Sequence, residues 1–136
     1  MTSSSQNILS GFNDHFNEFL NDILSVFPDN IDIIAAKNSI VLIRKTNPKI
    51  IIQIWNSYVV GKYTKEIEMG NIDFFISKDY SSDLNNLDDS KKTKITESID
   101  RLRNPIKMMN DADRDKSMKY IQNLTKLSTL YFSLNN

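Results

Sequence analysis

His15 is the single histidine in a chain of 136 residues that contains no cysteine. Those two facts narrow the chemistry at once. No thiolate can serve as nucleophile or metal ligand, and one imidazole has no second imidazole to complete a metal pair. Nor does any serine sit in an arrangement that reads as a Ser-His-Asp triad with it. His15 lies beside Phe12 and Phe16 and four positions before Phe19, so it reads as a residue at the boundary of an apolar stripe. Carboxylates are the next candidates. Asp79, Ser81, Asp83 and Asn85 alternate like the start of a calcium loop. The glycine needed at the sixth position is Leu84, however, and the twelfth is Ser90 instead of a bidentate glutamate. Asp111, Asp113 and Asp115 alternate too, again without the glycine, and carboxylates there suit the positive end of a helix. Neither run is expected to hold a metal, and no cofactor is expected. Seventeen acids offer many pairs, but no spacing singles one out for acid–base work.

Cations offer a different chemistry. Residues 91–136 carry ten basic and five acidic groups, whereas residues 64–90 carry two basic and seven acidic groups. Lys91, Lys92, Lys94, Arg101, Arg103, Lys107, Arg114, Lys116 and Lys119 could line an anion-binding face on the C-terminal helices, with Lys126 beyond them. A glycine-rich phosphate loop, zinc-finger spacing and an RNP-type aromatic motif are all missing. Nucleic-acid binding therefore rests on charge alone, and a solvated helical face explains the same residues. Asn123-Leu124-Thr125 matches a glycosylation acceptor. In a helical context, and with no basic and apolar leader in MTSSSQN, it carries no weight.

The elements that must position these groups read as helices. Residues 1–4 read as a disordered tail, and residues 5–136 as one helical domain. Ile8, Leu9, Phe12, Phe16, Phe19, Leu20, Ile23, Leu24 and Phe27 keep helical spacing up to Pro28. Asn13, Asp14, Asn17, Glu18, Asn21 and Asp22 fill the other face. Asp29 and Asn30 can cap a second helix over 31–46, which carries two apolar faces. One holds Ile31, Ile34, Ala35, Val41 and Leu42, and the other Ile33, Ala36, Ile40 and Ile43. Asn47-Pro48 reads as an N-cap and first helical residue for a helix over 48–62. That helix puts Lys49, Gln53, Asn56 and Ser57 in one polar arc and is apolar through roughly 200° of the rest, so neighbours must surround it. It can run on to a stop at Gly70. Two β-branched runs, Ser39–Arg44 and Ile50–Trp55, keep a β-hairpin open as the alternative. Beyond lie a short helical turn at 72–77, a long acidic loop at 78–90 and a helix over 89–103. Asn104-Pro105 marks a break or kink before the last helix, which starts near Asp111. Its apolar residues are Met118, Ile121, Leu124, Leu127, Leu130, Tyr131 and Leu134. The expected fold is an all-α, single-domain bundle of about five helices with a central apolar helix near residues 48–62.

Composition points to an AT-rich source, with thirteen Lys to four Arg, eighteen Ile and sixteen Asn. The phrases FNDHFNEFLNDILSVFPDN, NPKIIIQIWNSYVVGKYTKEIEMGNIDFFISKDY and KSMKYIQNLTKLSTLYF resemble small helical proteins of the nucleocytoplasmic large DNA viruses, mimivirus-like giant viruses above all. The likeness covers most of residues 8–134 and brings no catalytic residues with it. It implies a viral setting, either the cytoplasmic viral factory of the host cell or the virion. Apolar runs are too short for a membrane span, so a soluble intracellular protein is expected. The expected role is that of a non-enzymatic interaction or virion-associated protein. Its partner would be another protein, viral or host, or a second copy. Nucleic-acid association through the basic face is the alternative.

Overall fold

A computed structural model describes residues 3–72, residue 98 and residues 101–134. All regular structure among these residues is helical and none is a strand, so the fold is all-α. The helices are α1 (Ser3–Val26), α2 (Ile31–Thr46), α3 (Ile50–Ile54), α4 (Gly61–Glu68), α5 (Arg103–Met108) and α6 (Asp111–Leu134), with a π-helical segment, Trp55–Val60, joining α3 to α4. Most of the expected turn at 72–77, the acidic loop at 78–90 and most of the helix at 89–103 lie outside the described residues. Within the last of these, Ser98 and Arg101 are helical.

Local chemistry sets the boundaries. Helix α1 begins at Ser3, two residues inside the segment read as a tail, and ends before Pro28. Asn30 caps α2, its side-chain oxygen accepting the Ile33 N–H at 3.1 Å. Asn47 does not cap the third helix. It closes α2 instead, donating its N–H to Ile43 O at 2.7 Å, and α3 starts at Ile50. The hairpin alternative is thereby replaced by two helices joined at Pro48. Residues 50–68 then run without a break, past Gly61, to a Schellman end. There Gly70 N–H bonds Ile67 O at 3.0 Å and Asn71 N–H bonds Glu66 O at 2.9 Å. Pro105 lies inside a helix where a break or kink was expected. It falls in the first turn of α5, where its missing N–H has no intrahelical partner to lose, and the chain breaks upstream at Leu102.

The central helix is surrounded as its composition requires. Ile50, Ile51, Ile52, Ile54, Trp55 and Val59 are buried, while Lys49, Gln53 and Ser57 of the polar arc are exposed. Helix α1 packs along α6 and against α2 and α3, and the π segment packs against α6. Phe12 and Phe16 meet the Trp55 ring edge-on at 6.3 and 5.7 Å between centroids, a geometry that aromatic quadrupoles favour.

Three inner-face expectations are corrected. Asn13, expected on the polar face of α1, is 2% exposed, because its position on the helix is only about 20° from Leu20. Its Nδ2 donates to Pro48 O at 3.0 Å and so ties α1 to the turn between α2 and α3. On α6, Leu130 and Leu134 are exposed, while Ser117, Thr125 and Ser128 face inward with Met118, Ile121, Leu124 and Tyr131. Small side chains there let α6 lie close to the π segment.

Candidate functional site

Three places on the described surface could do something beyond holding the fold. The first is the basic set. Lys116 is committed within the molecule: its Nζ lies 2.7 Å from Asp22 Oδ1 on α1. That hydrogen bond and the Asp22 charge raise the Lys116 pKa above its ordinary value of 10.5. Arg114 is half-buried in the first turns of α6 and takes part in interactions of its own. Lys119 and Lys126 are exposed on a shared stripe of α6, with Asp115 one turn before Lys119. Arg101 is exposed, Lys107 is exposed on α5, and Arg103 opens that helix. Lys91, Lys92 and Lys94 lie outside the described residues.

The other sequence candidates are also accounted for. His15 is half-buried between α1 and α6, its ring centroid 4.8 Å from that of Tyr120 and its Nδ1 3.6 Å from Glu18 Oε2. Tyr120 in turn stacks on Phe19 at 5.2 Å. Burial, and then the nearby Asp22 carboxylate, raise the Tyr120 pKa above 10.0. Asp111 and Asp113 sit in the first turn of α6, where Asn110 caps the helix by accepting the Asp113 N–H at 2.8 Å. The alternating acids Asp79, Ser81, Asp83 and Asn85 lie outside the described residues. Among those described, no group of three or more His, Asp or Glu could hold a metal ion. Thr125 of the glycosylation-like triplet is buried, accepting the Trp55 indole N–H at 3.2 Å and donating to Ile121 O at 2.9 Å.

The second place is a 710 Å³ groove between the π segment and α4 on one side and α6 on the other. Val60, Ile67 and Leu130 give it apolar walls, with Glu68 and Lys126 also lining it. Its volume suits a small ligand, but several of its polar groups already bond within the helices. The Thr64 hydroxyl bonds Val60 O, the Thr125 hydroxyl bonds Ile121 O, and the Ser133 hydroxyl bonds Leu130 O at 2.8 Å. Gln122 Nε2 bonds Ile67 O at 2.9 Å, satisfying the C-terminal end of α4. A smaller cavity of 420 Å³ lies between α1 and α2. The Asn13 and Asn17 amide oxygens there are buried without a protein partner, a lining suited to ordered water.

The third place is the outer face of α2. Of the two apolar faces in its sequence, Ile33, Ala36, Ile40 and Ile43 are buried against α1 and α3. On the other, Ile31 is 79% and Leu42 64% exposed with Ile34 beside them, while Ala35 and Val41 are half-buried. Val26 and Pro28, also exposed, extend the surface at the N-terminal end of the helix.

Compared with protein-family models, with curated proteins and with solved structures, the chain matches none. No helix among the described residues is long and apolar enough to cross a membrane. Single exposed apolar residues are ordinary on a protein surface, but a run of them along one helix is the usual mark of a contact surface. The sequence signal for it was the doubled apolar pattern of α2. Which of the two faces would stay outside depended on the packing of α1 and α3.

Proposed function

We propose that this chain is a non-enzymatic interaction protein that works through protein–protein contacts made by the outer face of α2. The carrying observation is that α2 is apolar on both sides while the bundle fully buries only one. Packing on the bundle needs only the buried face, yet Ile31 and Leu42 stand largely in water with Ile34 partly exposed beside them. The setting we propose is viral, the host-cell viral factory or the virion, on the strength of the resemblance at 47–80 and 116–132.

Paired variants test the reading. Leu42→Asp alters the exposed face and leaves the bundle intact, so circular dichroism and melting temperature stay near those of the wild type. Ile43→Asp buries an unpaired charge and unfolds the protein. Co-purification of tagged wild type from infected cells yields a stoichiometric protein partner or a second copy, and Leu42→Asp loses it. If the wild type runs as a monomer and purifies alone, as Leu42→Asp does, the reading fails. Association with nucleic acid has less support, since Lys116 already serves Asp22. Salt-dependent retention on DNA or RNA that Lys119→Glu and Lys126→Glu abolish would reverse that ranking.

A further inference from the structure

We infer that the occupant of the outer α2 face is a second copy of this chain, docked antiparallel about a two-fold axis through Asn38. The inference rests on the reading of α2 as a contact surface and adds the partner and its orientation. At 100° per residue, Ile31, Ile34, Ala35, Asn38 and Leu42 fall within an arc of roughly 100°, and Asn38 sits near its middle and halfway along the exposed stretch. A two-fold contact must be complementary to itself, so each residue of the patch has to suit its own mate. Antiparallel pairing about Asn38 sets Ile34 against the partner's Leu42, and Ile31 against the partner's Lys45, whose methylene stem can cover it. Asn38 then meets its own copy, and an amide can both donate to and accept from a second amide.

Charge selects the direction. Exposed Asp32 lies in the first turn of α2, and exposed Asp29 lies in the turn just before it. Exposed Lys45 lies in its last turn and exposed Lys49 follows in the turn before α3, while Arg44 is held by Asp14 at 2.9 Å. Antiparallel docking brings acidic ends onto basic ends and opposes the two helix dipoles, whereas parallel docking sets like against like. One exposed face of a helix about 24 Å long covers less area than stable interfaces bury, which places the contact among weak, transient ones. The dimer is therefore concentration-dependent and exchanges with monomer. The groove between α4 and α6 is a different patch. Inserting α2 into it would join unlike surfaces and lead to open-ended assembly, so chain growth is the outcome that excludes a two-fold dimer.

The absence of cysteine makes the geometry directly testable by engineered disulfides. Sedimentation of the wild type shows a monomer–dimer equilibrium, and Leu42→Asp or Ile34→Lys raises its dissociation constant at least tenfold with unchanged circular dichroism. Under mild oxidation Asn38→Cys gives a covalent dimer. Ile31→Cys alone does not, because its two copies would lie about 21 Å apart along the axis. A mixture of Ile31→Cys and Lys45→Cys gives the crossed product. The proposal is overturned by a wild type that stays monomeric at its highest attainable concentration, by Ile31→Cys linking to itself faster than Asn38→Cys, or by a ladder of higher oligomers. If the wild type is monomeric but Leu42→Asp still loses a co-purifying protein, self-association is wrong and the contact-surface reading stands.

Discussion

Thr125 illustrates how much one hydroxyl can decide at the scale of a residue. It accepts the indole N–H of Trp55 and donates to Ile121 O, so both its hydrogen-bonding roles are used inside the core. Replacing it with valine keeps the shape and leaves the indole N–H unpaired in an apolar site. Thr125→Val is expected to cost about 1–3 kcal/mol in denaturant unfolding, and Thr125→Ser less, because the acceptor remains. Tyr120 and Lys116 make a second prediction at this scale. Both hold their protons more tightly in the folded protein than their ordinary values of 10.0 and 10.5 imply. Above about pH 10 the unfolded chain loses these protons first, so the folded state binds more of them and stability falls as pH rises. Below that range the contribution is fully present and flat with pH. Tyr120→Phe should flatten the alkaline limb of a stability-against-pH curve. An unchanged limb would mean that burial between Phe19 and His15 does not hinder the ionisation of the phenol.

Helix ends and helix faces behave differently as elements. Gly70, at φ 69°, ends the helix that runs through α4, with the nearest foreign atom to an added Cβ being Gln122 Nε2 at 3.6 Å. There is room for a methyl group, so the cost of Gly70→Ala is conformational, roughly 1–2 kcal/mol in thermal or denaturant unfolding. Asn in its place, which tolerates the left-handed region, should lose less. Such ends were legible in the sequence, as were the Asn30 cap and the stop before Pro28, because each is set by local backbone chemistry. The aromatic stripe of α1 and the broad apolar surface of the central helix were legible for a similar reason, since periodicity alone fixes them. The rest depended on tertiary partners. A count of apolar residues favours Leu130 and Leu134 as the inner face of α6, but close approach to the π segment requires Thr125 and Ser128 there. The π segment itself differs from an α-helix only by a shift in hydrogen-bond register, which no residue of WNSYVV announces. For α2, the functional candidate, both faces were visible and only the assembled bundle shows which of them remains in water.

At the scale of the whole molecule, one apolar core runs through every helix described, from Leu9 on α1 through Ile67 on α4 and Ile106 on α5 to Tyr131 on α6. Trp55, the only tryptophan, sits where α1, the π segment and α6 meet, against Phe12, Phe16 and Thr125. Its fluorescence therefore reports on the joint between elements far apart in sequence, while far-UV circular dichroism averages over all the helices. A continuous core in a chain of this length should unfold in one step, so the two signals should share a midpoint and a denaturant slope. The contact-surface reading leads to the same expectation. With Leu42 outside the core and Ile43 within it, Leu42→Asp should leave both transitions in place and coincident. The result that counts against a single core is ellipticity lost at lower denaturant than the tryptophan signal. The more peripheral α4 and α5 would then be opening while α1, the π segment and α6 stay closed around Trp55, and the bundle would behave as a stable centre with a separately melting edge.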